Sequence, residues 1–260
     1  MFPDLVDLGF LHLRTYGACM AVGFLLCWKL VERLSGRADL SNLLMTLMVG
    51  GVIGSRAAYV IEHWRAEFAA EPMKVIRVDQ GGLMFYGGLV LSILVFFGWC
   101  LWKRERPLRL ADLLCTAIPL GHACGRIGCF FYGCCYGRDS DAWCAVTFPA
   151  GSPSWFEHGR RLVSVLPTQL FEAAALLALF AALLALWRRW RAREGLVTGC
   201  YMAGYAAIRF GIEFLRGDPR AEVGPLSISQ AISLALAILG AGFAAAALRA
   251  RGAARTEEGR

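Results

Sequence analysis

The chain has 260 residues, of which 57% are hydrophobic and only 18% charged, and its formal net charge is +7. Soluble domains carry about 25% charged residues, so this composition, with a mean hydropathy of +0.52, excludes an ordinary soluble domain. The basic residues lie beside long apolar blocks and form no stripe interleaved with aromatic residues, so nucleic acid is not an expected partner.

Seven apolar blocks are long enough to cross a bilayer, which takes about 20 residues per helix. The start of the chain lacks the basic segment and the small-residue cleavage site of a signal peptide, so the first block is expected to be retained. Glycine-rich blocks such as 47–60 are typical of membrane helices that pack closely. We predict an all-α, polytopic membrane protein with about seven transmembrane helices, at residues 13–32, 42–62, 83–102, 110–128, 168–187, 196–215 and 227–248.

Lysine and arginine concentrate in alternate connections between these predicted spans. Basic clusters follow the first, third, fifth and seventh spans, at residues 29–37, 103–109, 188–193 and 249–255. Because such loops stay on the cytoplasmic side, the N-terminus is predicted outside and the C-terminus in the cytoplasm. The largest outer connection, 129–167, is expected to form a small periplasmic head inserted in a single transmembrane domain of residues 1–260.

Arginines occur within or at the ends of three predicted spans: Arg56 in the second, Arg126 in the fourth and Arg209 in the sixth. A charge in hydrocarbon costs about 3 kcal/mol, so such a residue usually faces a cavity or a partner. Glu213 follows Arg209 by four residues and is expected to pair with it on one helix face. One interpretation is a cavity for an anionic lipid head group, because guanidinium binds phosphate through two parallel hydrogen bonds. The alternative is a structural arginine paired to a carbonyl or a carboxylate.

Two further spans begin with residues suited to a polar site. Gly87 and Gly88 open the third span, where their backbone is able to form a nest for an anion, although a turn is the alternative use. Gln169 and Glu172 lie at the start of the fifth span and face either a cavity or an interface.

Six motifs, taken together, resemble the phosphatidylglycerol–prolipoprotein diacylglyceryl transferases. Each motif alone is weakly specific, but their order and spacing along seven predicted spans are strongly specific. The similar segments are RTYGACMAVGF (14–24), GSRAAYV (54–60), GGLMFYGGL (81–89), GRIGCFFYGCCYGR (125–138), PTQLFE (167–172) and GYAAIRFGIEFLR (204–216).

The resemblance implies an enzyme of the bacterial cytoplasmic (inner) membrane with its active site towards the outer face. Such enzymes move the diacylglyceryl group of phosphatidylglycerol to the thiol of a lipobox cysteine in an exported prolipoprotein, and glycerol phosphate leaves. By the family's pattern, Arg126 and Arg209 hold the lipid phosphate, Glu213 orients Arg209, and Tyr16 and Tyr205 lie near the site. No metal or other cofactor is expected.

The predicted site residues follow from these motifs. The residues predicted to take part in catalysis are Arg126, Arg209, Glu213, Tyr86, Cys129 and Tyr16. The residues predicted to bind the phospholipid are Arg126, Arg209, Tyr205, Gly87, Gly88, Gly137, Arg56 and Glu172.

The chain departs from the family's pattern at several polar positions. Tyr86 stands where the family often has a histidine proposed as the base, and a tyrosine with a pKa near 10 is a poor base at pH 7. His122 and His158 are alternative bases. The other departures are Cys129 for an asparagine, Cys134 for a glutamate and Leu166 for a histidine.

The ten cysteines fall into two groups of five. One group lies in the predicted spans as small hydrophobic residues: Cys19, Cys27, Cys100, Cys115 and Cys200. The other gathers at the outer end of the fourth span and in the head: Cys124, Cys129, Cys134, Cys135 and Cys144. For this second group the sequence leaves open a structural disulfide, a thiol–disulfide relay and a zinc site, although adjacent cysteines without a nearby histidine match common zinc spacings poorly.

Three functions are consistent with these patterns. The first is the lipid transferase that the resemblance implies, and the second is a relative on the same scaffold with another acceptor or with thiol chemistry of its own. The third is a non-enzymatic lipid-binding or transport protein. The lack of an internal repeat and of paired broken helices argues against transport.

Overall fold

The computed structural model describes residues 4–7, 12–69, 71–76, 82–219 and 222–257. Gly81, the first residue of the GGLMFYGGL motif, lies outside the described residues, as do residues 77–80 of the loop before it.

The described chain is mostly helical. Its helices are α1 (Thr15–Ser35), α2 (Leu40–His63), α3 (Phe85–Lys103), α4 (Pro107–Tyr132), α5 (Pro153–Glu157), α6 (Thr168–Trp190), α7 (Leu196–Glu213) and α8 (Ile228–Glu257). A π-helical turn, Trp64–Phe68, and a 3₁₀ turn, Pro72–Ile76, follow α2. Three antiparallel strand pairs complete the chain: β1 (Asp4–Asp7) with β2 (His12–Arg14), β3 (Val146–Thr147) with β4 (Ser164–Val165), and β5 (Glu222–Val223) with β6 (Leu226–Ser227).

Five of the described helices are long and apolar enough to cross a membrane: α2, α3, α4, α6 and α8. Their outer faces carry exposed apolar side chains, such as Leu94 at 61% and Ile238 at 74% exposure. Exposed apolar surface of this extent is stable against lipid rather than water. Each of the seven predicted spans coincides with one long helix, but α1 and α7 are not among these five, so the span count stays a prediction.

Two compact units make up the chain. The smaller unit covers residues 32–110, and the larger unit covers residues 1–31 and 111–260. In the smaller unit α2 packs against α3 through glycines, because a side chain on Gly54 or on Gly87 would collide with the carbonyl of the other. The interpretation of the glycines in this part of α2 as packing positions is therefore confirmed.

In the larger unit α4, α6 and α7 meet at one small apolar core. It is built from Ala123, Ala173 and Leu176, with Ile127 and Tyr205 packed against it. The small alanines bring α4 close to α6, and Tyr205 adds α7 to the contact. Polar residues one or two turns from this core are thereby held near one another.

A buried carboxylate fixes where α7 begins. Asp112 of α4 is 1% exposed and accepts hydrogen bonds from the backbone N–H groups of Gly195 and Thr198, each at 2.7 Å, and from the Thr198 hydroxyl at 2.6 Å. The first N–H groups of a helix have no partner within the helix, so a carboxylate from a neighbouring helix stabilises this end.

The connection from α4 to α6 has a core of its own. We call residues 133–167 the insert; it contains β3, α5 and β4 around Tyr136, Phe148 and Val165. The predicted head started at residue 129, but α4 continues to Tyr132 and ends at Gly133, whose φ is +79°. The first four residues of the predicted head are therefore helical, because they are apolar and the glycine that ends the helix, Gly133, comes after them.

Candidate active site

The first ion pair of the site joins α4 to α6. Arg126 Nε lies 3.1 Å from Glu172 Oε1, and the Glu172 side chain is only 1% exposed. A buried charge persists where an opposite charge compensates for the lost hydration. A carboxylate at Nε orients the guanidinium without occupying the edge formed by its two terminal nitrogens, which is the edge suited to a second anion.

The second ion pair lies within α7. Arg209 Nη2 is 2.7 Å from Glu213 Oε2, so the pairing predicted from the four-residue spacing is confirmed. The same nitrogen donates a hydrogen bond to the Ser229 hydroxyl of α8 at 3.1 Å. Both charged side chains are less than 10% exposed, so this arginine is held in a fixed position.

Tyr205 and His122 connect the two ion pairs. Tyr205 lies within electrostatic range of both Arg126 and Arg209. The His122 ring lies 5.1 Å from the Tyr205 ring, and both guanidinium groups act on it electrostatically. We call Arg126, Glu172, Tyr205, Arg209 and Glu213 the arginine cluster. It presents two oriented guanidinium groups beside an aromatic wall, an arrangement able to bind a phosphate ester.

Three of the cysteines converge at the end of α4. The Sγ atoms of Cys129, Cys134 and Cys135 all lie within 4.8 Å of one another. The backbone of the two adjacent cysteines is held by α6, because Gln169 Nε2 donates to the Cys134 carbonyl at 2.7 Å and Thr168 Oγ1 donates to the Cys135 carbonyl at 2.9 Å. We call these three residues the thiol cluster.

All ten cysteines are free in the structure. The structural disulfide that the sequence left open is therefore not formed. Cys144 is not part of the group that the Sγ atoms of Cys129, Cys134 and Cys135 form. The pKa of the Cys135 thiol lies well below its ordinary value, because the thiols of Cys129 and Cys134 donate hydrogen bonds to it and Arg216 adds its positive charge.

Two other predicted site residues of the larger unit lie next to these clusters. Tyr16, 40% exposed, packs on Gly128 and lies within electrostatic range of the thiol cluster and of Arg126. Gly137 donates its N–H to the Leu166 carbonyl at 2.8 Å, and a side chain there would collide with Leu166 and Thr168. The structure thus uses Gly137 to pack the insert against the start of α6, and its role in lipid binding stays a prediction.

Arg56, in the smaller unit, has a different environment. Its guanidinium donates to the carbonyls of Lys74, Val75 and Gly82 at 2.6, 2.9 and 3.1 Å. It also lies 5.2 Å from the centre of the Phe68 ring. These contacts match the structural alternative, in which an arginine is paired to carbonyls.

The other predicted residues of the smaller unit lie at the start of α3. Tyr86 is 57% exposed. Gly87 and Gly88 pack against the α2 backbone, where side chains would collide with the Gly54 and Gly51 carbonyls. The two glycines therefore form a helix contact rather than a turn, and the roles predicted for Tyr86, Gly87 and Gly88 in the reaction stay predictions.

Some contacts of the site were not predicted from the sequence. Glu172 was predicted to bind the phospholipid, but nothing in the sequence marked it as the partner of Arg126. Apart from the position of Ser229 at the start of an apolar block, nothing in the sequence indicates that it contacts Arg209. His158, an alternative base, is engaged on both ring nitrogens, by the Ser154 carbonyl at 2.6 Å and by Asp139 Oδ1 at 3.0 Å.

Comparison with known proteins gives one consistent result. Residues 3–246 match the family described as prolipoprotein diacylglyceryl transferase. The phosphatidylglycerol–prolipoprotein diacylglyceryl transferase of Geobacter sulfurreducens is 32% identical over 250 residues, covering 92% of each chain. The protein of the same name from Vibrio cholerae is 34% identical over 251 residues, covering 92% of this chain and 88% of the relative, and that from Rhodospirillum rubrum is 32% identical over 254 residues, covering 92% and 89%.

Proposed function

We propose that this chain, which belongs to the prolipoprotein diacylglyceryl transferase family, transfers the diacylglyceryl group of phosphatidylglycerol to the cysteine thiol of exported prolipoproteins. The observation that carries the proposal is the convergence of Arg126 and Arg209 on Tyr205, with each guanidinium oriented by a buried glutamate. The non-enzymatic alternative has no support, since the relatives named above are all transferases.

The arginine cluster would bind the phosphodiester of the lipid. Arg126 would use the edge formed by its terminal nitrogens, because Glu172 approaches at Nε. Arg209 would supply a second positive charge from α7, held in place by Glu213. Oriented donors in a site from which water is excluded stabilise charge much more than water does, since they need no reorganisation during the reaction.

The reaction forms a C–S bond and breaks a C–O bond. The acceptor thiol loses its proton, and the thiolate attacks the glyceryl carbon that carries the phosphate. The electron pair of the breaking C–O bond stays on the phosphate oxygen, so glycerol phosphate leaves with one more negative charge than the diester held. Because that charge grows as the bond breaks, Arg126 and Arg209 stabilise the transition state more than the bound lipid.

The protein is a multi-pass bacterial membrane protein, and the finer topology is part of the proposal. We propose seven spans in the inner membrane, with the N-terminus and the insert outside and the C-terminus in the cytoplasm. The seven long helices coincide with the seven apolar blocks, and the basic clusters follow alternate helices, both of which support this arrangement. The end of α4 and the start of α6 would then present the site to the outer leaflet.

Purified full-length protein in nanodiscs tests the function directly. Phosphatidylglycerol labelled in its acyl chains and a lipobox peptide should yield a labelled peptide, and the same peptide with serine in place of its cysteine should stay unlabelled. Unlabelled cysteine peptide after incubation with well-folded protein would contradict the proposal.

A further inference from the structure

We propose that Cys129, Cys134 and Cys135 bind a zinc ion through three thiolates, and that the fourth position on this ion takes the thiol of the acceptor cysteine. This inference rests on the proposed function, because it names the group that activates the nucleophile of that reaction. It also gives the thiol cluster a role in the reaction, whereas phosphate binding by the arginine cluster does not involve these cysteines.

The distances between the thiols suit a zinc ion. Zinc–sulfur bonds are about 2.3 Å long, so three sulfurs of a tetrahedral site lie about 3.8 Å apart. The three Sγ atoms already lie within 4.8 Å of one another, so shifts of side-chain torsion angles bring them to ligand distance. No movement of a helix is needed.

The backbone that carries these thiols is held in place. Cys129 is in the last turn of α4, and Cys134 N–H donates to the Cys129 carbonyl at 3.2 Å. Cys135 has a φ of +61°, a backbone conformation that residues other than glycine rarely adopt. The hydrogen bonds from Thr168 and Gln169 hold both carbonyls of this strained turn, so its geometry is maintained by the start of α6.

The surrounding charge favours an anionic complex. Three thiolates around Zn²⁺ carry a net charge of −1. Arg216 is 8% exposed, lies within electrostatic range of Cys135 and is anchored by Asp218 through two contacts of 2.8 and 2.7 Å. Arg126 lies within electrostatic range of Cys129 and Cys135. Two fixed guanidinium groups therefore compensate the charge of the complex.

The number of ligands indicates an exchangeable position. Structural zinc sites close with four protein ligands, whereas catalytic sites have three and leave one position for water or substrate. Within the part of the chain that the structure describes, no fourth cysteine, histidine or carboxylate joins the group. Cys134 and Cys135 are half-buried, and Tyr16 beside the cluster is 40% exposed, so the open position is accessible from the surface of the protein.

A thiol in this position would be prepared for the transfer. Coordination to zinc deprotonates a thiol, so the acceptor cysteine binds as thiolate and its proton is released to solvent. The bound sulfur then attacks the glyceryl carbon, and the electron pair of the C–O bond departs with glycerol phosphate. The product is a neutral thioether, a much weaker zinc ligand than a thiolate, and it dissociates. This step consumes no oxidant or reductant, and it replaces the base that Tyr86 is unable to supply.

Metal analysis of the intact protein tests the site without any turnover. Full-length protein in nanodiscs, supplied with zinc sulfate and then washed, should hold about one zinc per chain. Cys129→Ser, Cys134→Ser and Cys135→Ser should each reduce the zinc content at least about fivefold. Cys144→Ser is the matched control, since Cys144 is a half-buried cysteine of the insert outside the cluster, and it should bind zinc like the wild type. Wild-type protein without zinc, or a triple serine variant with undiminished zinc, would overturn the site.

Cobalt substitution tests the fourth ligand. The Co²⁺ form should show thiolate-to-cobalt charge-transfer absorption, which should increase when the lipobox cysteine peptide is added and stay unchanged with the serine peptide. An identical spectrum with both peptides would overturn the assignment of the acceptor thiol to the metal. Zinc-free protein that transfers lipid at the full rate would overturn this inference and leave the proposed function intact. Zinc-loaded protein that transfers none would contradict the proposed function and leave the metal site intact.

Discussion

Arg56 in the smaller unit and the pair Arg126 and Arg209 in the larger unit all lie in predicted membrane spans, but they differ in their hydrogen-bond and ion-pair partners. All three are buried or half-buried arginines in apolar helices. Arg56 donates to three backbone carbonyls of the loop that follows its own helix. Arg126 and Arg209 each contact a glutamate whose side chain is at most 6% exposed.

The partners of Arg56 indicate a role in stabilising the fold, whereas those of Arg126 and Arg209 hold a positive charge in a fixed orientation. Carbonyls of a local loop satisfy the donors of a guanidinium and at the same time order that loop. A buried glutamate instead fixes the direction of the guanidinium and compensates its charge, at the cost of burying a second ion. A protein that needed only stability at these positions would gain as much from apolar residues.

The largest expected effect is at the arginine pair. Arg126→Ala and Arg209→Ala should each lower kcat/KM for transfer by about 10³-fold, the upper end of the effect of losing one preorganised donor to a developing negative charge. Activity should be measured on variants whose helical circular dichroism and elution volume equal those of the wild type. Wild-type activity in either folded variant would remove that residue from the proposed phosphate site.

A smaller loss is expected when only the orienting carboxylate changes. Glu172→Gln keeps the shape of the side chain but removes the charge that holds Arg126 at Nε. We expect kcat to fall about tenfold, equivalent to about 1.4 kcal/mol, with little change in KM for phosphatidylglycerol. A change in KM alone would mean that Glu172 contributes to lipid affinity and not to the orientation of Arg126.

Arg56→Gln tests the other side of the comparison. The variant loses most of the hydrogen bonds to the carbonyls of residues 74, 75 and 82, so the melting temperature in detergent should fall by about 5 °C. The activity of the folded fraction should stay within about twofold of the wild type, because that loop needs order rather than charge. A raised KM for phosphatidylglycerol at unchanged stability would instead support the lipid-binding role predicted from the sequence.

The smallest effect is expected at an exposed ion pair of the smaller unit. Arg37 donates hydrogen bonds to Asp39 at 3.1 and 2.6 Å, which lowers the pKa of that carboxyl group. At a pH above about 4, the pKa of Asp39 in the unfolded chain, the pair therefore stabilises the fold in full. This contribution is lost as the pH falls through the lower pKa that Asp39 has in the folded protein. Asp39→Asn should lower the melting temperature by about 1 °C at pH 7 and progressively less on acidification below pH 4. An equal shift at low pH would show that the effect is not electrostatic.

Local features of the site could be predicted from the sequence, and distant contacts could not. The Arg209–Glu213 pair follows from a spacing of four residues within one helix. The Arg126–Glu172 pair joins two helices, and its formation depends on how α4 packs on α6 through Ala123, Ala173 and Leu176. The sequence showed three cysteines in one short stretch, but their convergence requires α4 to end at Tyr132 and the turn after it to take positive φ at Gly133 and Cys135.

The sequence by itself determined that this protein has long apolar helices, where each of them lies and which family it belongs to, because hydrophobicity, basic clusters and motif order are local properties of the chain. Only the tertiary structure decided which buried charges form ion pairs, that Arg56 donates to the loop after its own helix, and which thiols lie close together. Those outcomes depend on contacts between helices, and contacts of a few ångströms are set by the packing of side chains that are far apart in the sequence.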